Sequence, residues 1–174
     1  MKKLILLSVS FFLTIVVSAQ MINTTIPITG LGEFALGMTP EEMIEVLEQS
    51  KSSNSKISGI FDGESSLSIT NLKCFGYLFD ECYFTFSDNK LNRINFSMDF
   101  DKKNKEPKEF EELLSILEDD YGKLPYQKQG LPSIWENDDK TKIMFFLKNE
   151  KKKTRITIAV MRDIFNLNNT MIYK

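Results

Sequence analysis

Residues 66–100 read SLSITNLKCFGYLFDECYFTFSDNKLNRINFSMDF. Along an extended chain Cys82, Phe84 and Phe86 fall on one face, and Tyr83, Thr85 and Ser87 on the other. Asp88-Asn89-Lys90 marks a turn, after which Ile94, Phe96, Met98 and Phe100 alternate again. The stretch predicts three strands, near 66–75, 81–87 and 91–100, running as a meander.

Ahead of the meander, GMTPEEMIEVLEQ at 37–49 is a marked helix start. Thr39 suits the N-cap and Pro40 the first helical position, while Glu42 completes a capping box. Gly37 gives the chain freedom to turn into the helix. Met43, Ile44 and Leu47 form the predicted buried stripe, with Val46 at its margin. Residues 50–66 are rich in Ser, Lys, Asn and Gly and read as a loop with one short strand near 57–61. Residues 20–30 read as a loosely held segment or a first edge strand.

Beyond the meander a second helix is predicted over about 107–121. Pro107 suits its first turn, and Glu109, Glu111 and Glu112 lie near the positive end of its dipole. Phe110, Leu113, Leu114, Leu117 and Tyr121 make one apolar stripe. Gly122 is placed to end the helix, and Pro125 prevents its resumption. Three more strands follow near 133–137, 141–148 and 153–162. Ile143 to Leu147 is apolar on both faces, as in a doubly covered strand. Ile156, Ile158 and Val160 alternate with Arg155, Thr157 and Ala159.

The fold class expected is therefore α+β, from two α-β-β-β units at about 37–100 and 107–163. Their order suggests a tandem duplication, the six strands forming one antiparallel sheet with both helices packed on one face.

The first residues, MKKLILLSVSFFLTIVVSAQ, read as a cleavable secretory signal over 1–19. Lys2 and Lys3 supply the positive start. Leu4 to Val17 supply an apolar run shorter than the roughly 20 residues of a membrane-spanning helix. Val17-Ser18-Ala19 carries the small residues a signal peptidase reads, with cleavage before Gln20. No cysteine follows to bear a lipid. Loss of 19 residues from 174 leaves 155, enough for a single domain over 20–165 with a tail at 166–174. The basic count falls from 22 to 20 against 24 acidic residues, a formal charge of −4. An expected location is periplasmic or secreted, with no transmembrane anchor after cleavage, and the acidic balance disfavours nucleic acid as a partner.

There is no histidine and there are two cysteines. Ser-His-Asp and Cys-His catalysis and the common zinc sites are thereby made very unfavourable. No catalytic residue, cofactor or metal ligand is assigned.

The GMTPEE-x-IEVL segment, the aromatic meander with its D-N-K-L turn, and L-x-x-DYG-x-LP ahead of a Trp-bearing strand together resemble small Gram-negative envelope proteins of tandem α-β-β-β repeats. The neighbourhood of that fold includes the β-lactamase-inhibitor protein and the small lipoprotein of the outer-membrane barrel-assembly machinery. The resemblance spans most of residues 30–163. It implies a non-catalytic role, inhibitor-like or accessory, with another envelope or extracellular protein as partner.

Five features carry candidate chemistry. Cys74 and Cys82 could bridge if 75–81 makes a hairpin bend that sets them opposite one another, or could be buried free thiols, or one could be reactive. Within one straight strand their ends would be about 26 Å apart, too far to bond. The bend Gly76-Tyr77-Leu78-Phe79-Asp80 is apolar for a turn. Tyr77, Leu78 and Phe79 either anchor a partner or fold onto the first helix. Trp135 either packs inside or stacks on a sugar in a polysaccharide-binding module.

Carboxylates cluster at Glu118-Asp119-Asp120, Asp138-Asp139 and Asp99-x-Asp101. They are solvated faces unless several converge. A cleft gathering Asp119, Asp120, Asp138 and Asp139 would mark a carboxylate-dependent hydrolase of envelope polymers. Asp99 and Asp101 begin like a calcium loop, but Asn104 stands where such a loop has glycine. Lys148, Lys151, Lys152, Lys153 and Arg155 crowd the last hairpin, either as a solvated edge guard or as an attraction for anionic polymers.

Overall fold

The computed structural model describes residues 20–49, 55–61, 64–101, 107–125, 131–150 and 152–162. The signal at 1–19, the tail at 166–174, Asn104, Lys151 and most of the 126–132 loop lie outside the described residues.

Ten strands and two helices are formed among them: β1 (Gln20–Asn23), β2 (Gly30–Leu31), β3 (Phe34–Ala35), α1 (Pro40–Gln49), β4 (Ser55–Phe61), β5 (Glu64–Cys74), β6 (Tyr77–Ser87), β7 (Lys90–Asp101), α2 (Lys108–Tyr121), β8 (Ser133–Glu136), β9 (Lys142–Asn149) and β10 (Lys153–Met161). The fold is α+β. Eight strands join one sheet in the order β1-β8-β9-β10-β7-β6-β5-β4, while β2 and β3 pair apart from it.

The helix starts follow local chemistry. Thr39 Oγ1 accepts from the Glu42 amide at 3.2 Å, and Glu42 Oε2 accepts from the Thr39 amide at 2.8 Å. Both donors would otherwise lack helical partners, so the capping box forms as its sequence predicts. Met43 and Leu47 are buried, but Ile44 is 40% exposed. The buried face of α1 is thus narrower than the sequence stripe. In α2, Pro107 stands at the N-cap and not inside the first turn, with no side-chain cap bond. Leu113, Leu114 and Leu117 are buried, with Phe110 and Tyr121 packed beside them. Gly122 ends the helix at φ 105°, its amide bonded to the Glu118 carbonyl.

The meander turns are tighter than the sequence suggested. Phe75 and Gly76 take φ of 53° and 82°, and Asp88 and Asn89 take 51° and 60°. Two consecutive positive φ values match the right-handed twist of a two-residue hairpin. The bend expected over 75–81 is therefore only Phe75-Gly76, and 77–80 already belong to β6.

This hairpin also switches its buried face. Near its open end Leu67 and Ile69 are buried against Phe84 and Cys82. Near its tip the buried residues are Leu72, Cys74 and Phe79. The pairing on either side of the switch keeps one register, Thr70 to Glu81 and Leu72 to Phe79. The change of face falls at Asn71, whose φ is 58°, opposite Asp80. Asparagine tolerates that left-handed conformation better than most residues.

The sheet departs from expectation at one edge. β1 runs parallel to β8, from the Gln20–Ser133 pair to the Asn23–Glu136 pair. All other pairings in the sheet are antiparallel, so the sheet is mixed.

One principal core unites buried residues of α1 and α2 with the sheet, including the switched tip of the β5–β6 hairpin. The β2–β3 hairpin inserts Leu31 and Phe34 into it, each 2% exposed. Phe34 lies 4.8 Å from Phe84 and 5.9 Å from Phe96 between ring centroids, and Phe79 lies 5.2 Å from Phe96. Each such pair adds about 0.5–1.5 kcal/mol beyond the area it buries. Phe110 of α2 stacks on Phe145 of β9 at 4.7 Å, fixing that helix against the sheet.

Candidate functional site

The sheet face turned away from the helices carries its own apolar cluster. Ile134, Met144 and Ala159 are buried there, with Met161 beside them, apart from the principal core. The register makes these residues a straight row. Met21 pairs with Ile134, Ile134 with Met144, Met144 with Ala159, Ala159 with Asn95, Asn95 with Tyr83, and Tyr83 with Ser68. Side chains in one register row of a sheet share a face and touch in turn. The row runs from apolar at β1 to polar at β5. Met21 is 54% exposed and Tyr83 45% exposed.

Two ion-pair clusters stand on the same face at opposite ends of the strands. At one, Glu136 lies 3.0 Å from Lys140 Nζ and 2.6 Å from Lys142 Nζ. The bond from Lys142, with a second from Lys140, holds the Glu136 carboxyl below its ordinary range. At the other, Asp99 accepts from Arg155 Nε at 2.6 Å and Nη2 at 2.8 Å, and from Lys153 Nζ at 2.6 Å. Arg155 also reaches Glu81 at 3.1 Å. The Arg155 guanidinium beside Asp99 holds that carboxyl below its ordinary range, and Asp99 in turn raises Arg155. This fork of parallel N–H bonds is the strong form of the pair.

Those pairs decide two of the charged candidates. Asp99 is taken by Arg155 and Lys153. Lys153 and Arg155 are neutralised within the sheet, and Lys148 lies 3.4 Å from Glu150, so the last hairpin is less basic than its composition. Asp139 accepts from the Thr141 amide at 2.8 Å inside the β8–β9 turn, and Glu118 accepts from the Leu124 amide at 3.1 Å. Among the described residues no group of three or more Cys, Asp or Glu side chains is placed to hold a metal ion.

The apolar candidates separate. Phe79 is fully buried. Tyr77 is half-buried, and its hydroxyl donates to Glu112 Oε2 at 2.7 Å, so the hairpin tip touches α2, while Phe79 shares the core with Met43 and Leu47 of α1. Leu78 alone of the three faces outward, 58% exposed.

Trp135 points the other way, into the core at 0% exposure, with its indole N–H bonded to the Gly122 carbonyl. A ring so enclosed has no face open to a sugar, so Trp135 lends the polysaccharide reading no support. Nor do the bend and Trp135 share a surface patch, since Trp135 and Phe79 are enclosed in the core while Leu78 is exposed.

Cys74 and Cys82 are buried free thiols. The hairpin does not set them opposite one another: Cys74 pairs with Tyr77, and Cys82 with Ile69. Burial pushes the Cys74 thiol up to about 12 and raises Cys82 as well, so neither is a ready nucleophile.

The row itself was missed in the sequence. Ile134, Met144 and Ala159 are each ordinary in their own strand, and only the pairing brings them side by side. The run Ile143 to Leu147, apolar on both faces, was the one available signal.

No helix among the described residues is long and apolar enough to cross a membrane. Comparison with curated proteins and with solved structures gives no match. Residues 29–162, from just before the β2–β3 hairpin to just past β10, match the family model of the TP0088 domain, and the chain belongs to that family.

Proposed function

We propose that this chain is an exported, non-catalytic protein-binding protein, inhibitor-like or an accessory of the cell envelope, and that the helix-free sheet face is where its partner sits. The observation that carries this reading is the row from Met21 to Tyr83. A sheet face that carries no helix is ordinarily polar. Here it is apolar at one end, with large side chains open at both, and is framed by two satisfied ion-pair clusters. Open apolar side chains bordered by charged groups suit a protein interface.

The tandem reading belongs with this proposal. Across six central strands the order β8-β9-β10-β7-β6-β5 is mirrored about the β10–β7 pair, which suits two α-β-β-β units joined through their last strands. It also suits the likeness to inhibitor and envelope-accessory folds, which would use the sheet to grip a partner.

The test is capture from a cell-envelope extract with three baits: the chain from Gln20 onward, its Met21→Glu/Tyr83→Glu variant, and its Leu78→Glu variant. A partner held by the first and third baits but lost from the second supports the reading. Equal recovery on all three, or loss only with Leu78→Glu, defeats it.

A further inference from the structure

We propose that Arg93 is the charged anchor of the helix-free sheet face, and that the partner meets it with an acidic side chain set among large apolar ones. The proposal rests on that face being where the partner sits. Arg93 stands in the register row next to the apolar one, between Met161 of β10 and Thr85 of β6. Met161 packs against Ile134, Met144 and Ala159, so Arg93 borders the apolar cluster. The cations of the two ion-pair clusters are matched, Lys140 and Lys142 to Glu136, Lys153 and Arg155 to Asp99. Arg93 is half-buried, and among the described residues it has no ion pair. A local irregularity turns it outward. Leu91 is buried in the core, and plain alternation along β7 would send Arg93 to the same side. Instead the register against β6 shifts: Phe86 pairs with Leu91 and Thr85 with Arg93, leaving Asn92 as an extra residue. Such a bulge re-aims the side chain that follows it.

The guanidinium carries a planar fork of donors that fits a carboxylate with two parallel bonds. An anionic membrane or polysaccharide would draw on several open cations at once, whereas the cations of both clusters are already answered by carboxylates of this chain. One open arginine beside apolar side chains suits one carboxylate in a protein segment. Arg93 lies on β7, the fifth of the eight strands in the sheet. A partner that covers both Met21 on β1 and Tyr83 on β6 crosses about 24 Å of sheet and passes over β7 on the way. Arg93 is two residues from Asn95 of the apolar row, about 7 Å to one side of that path. The carboxylate is therefore an Asp or Glu side chain within the covering segment and not a chain end.

The test selects a displayed library of random linear peptides on the chain from Gln20 onward. Synthetic, C-terminally amidated forms of the selected peptides are then measured against the parent, Arg93→Gln, Met21→Glu/Tyr83→Glu and Leu78→Glu. The selected peptides are expected to share an Asp or Glu flanked by large apolar residues. Changing that acid to its amide should weaken binding to the parent about tenfold, and Arg93→Gln should weaken the acidic peptide by a similar factor. The two changes together should cost no more than either alone. Met21→Glu/Tyr83→Glu should abolish binding, and Leu78→Glu should leave it unchanged. The amide peptide is read on the parent chain, so this arm does not depend on how the variant folds, and an undiminished affinity there would overturn the anchor. Peptides that bind Arg93→Gln as well as the parent but fail on Met21→Glu/Tyr83→Glu would overturn the anchor and leave the face standing. Peptides that bind Met21→Glu/Tyr83→Glu undiminished would overturn the face and the anchor together. Selection of no shared acid, or Arg93-dependent binding to phosphatidylglycerol vesicles in place of peptides, would overturn the acidic segment.

Discussion

The indole N–H of Trp135 donates to the carbonyl oxygen of Gly122 at 2.7 Å, tying the middle of β8 to the end of α2. Gly122 is the residue that stops the helix, so one bond fixes both where α2 ends and how it lies on the second half of the sheet. Trp135→Phe keeps an aromatic ring but removes the donor. It is expected to lower stability by about 1–2 kcal/mol, read as a shift in the urea midpoint at unchanged slope. The native tryptophan emission should be shielded from a soluble quencher and unmoved by added polysaccharide. Strong quenching in the folded state would contradict the buried position.

Asp99 links acid sensitivity to the β7–β10 seam. Its folded pKa lies below the ordinary 3.8, chiefly through the Arg155 bond. A carboxyl depressed on folding contributes stability that is fully present above its unfolded pKa and is lost as pH falls through the folded one. Asp99→Asn should therefore cost about 1–2 kcal/mol at neutral pH, with the partial exposure of the pair limiting the figure. The difference between variant and parent should shrink at a pH well below 3.8. Urea titrations of both chains at the two pH values check this, and a difference that stays constant would exclude Asp99 as its source.

The thiols should be silent until the chain unfolds. Burial raises both, Cys74 to about 12, so little thiolate exists at mildly alkaline pH. A thiol reagent is expected to leave the native chain unlabelled and to add to both residues in denaturant without prior reduction. Mass of the labelled protein counts the additions. No addition in denaturant unless a reductant is present would reveal a Cys74–Cys82 bond.

What the sequence disclosed was local. Thr39, Pro40 and Glu42 carry their capping chemistry within four residues, and Asp88-Asn89 names its turn by residue type. The stripe of α2 survives nearly whole. What stayed hidden depends on partners far along the chain. The parallel seat of β1 on β8 joins Gln20 to Ser133, and nothing in either segment encodes the other. Ile44 fits a helical stripe by spacing yet faces outward, because the surface beneath α1 is narrower than its apolar face. Tyr77, Leu78 and Phe79 read as a turn because Gly76 and Asp80 bracket them, whereas Asn71 and Asp80 mark a switch of face inside a continuous hairpin. The polar N-terminal stretch gave no sign that Leu31 and Phe34 would enter the core.

That last feature yields a sharp test at Gly32, in the turn between β2 and β3. Its φ is 60°, and a Cβ built on it would stand 2.5 Å from Cys74 Sγ, closer than nonbonded atoms approach. Gly32→Ala should thus be destabilising twice over. The left-handed backbone disfavours any side chain by about 1 kcal/mol, and overpacking against a buried sulfur adds about 1–3 kcal/mol. Cys74→Ala removes the sulfur and leaves a small void. In the double variant the new methyl occupies the space that Sγ vacated, so the overpacking is relieved while the backbone strain remains. The double variant should be more stable than the sum of the single effects allows, by about 1 kcal/mol or more. Urea midpoints of the four chains measure this coupling directly. Simple additivity would mean that the β2–β3 turn does not rest on Cys74, and the hairpin that carries Phe34 into the core would need another support.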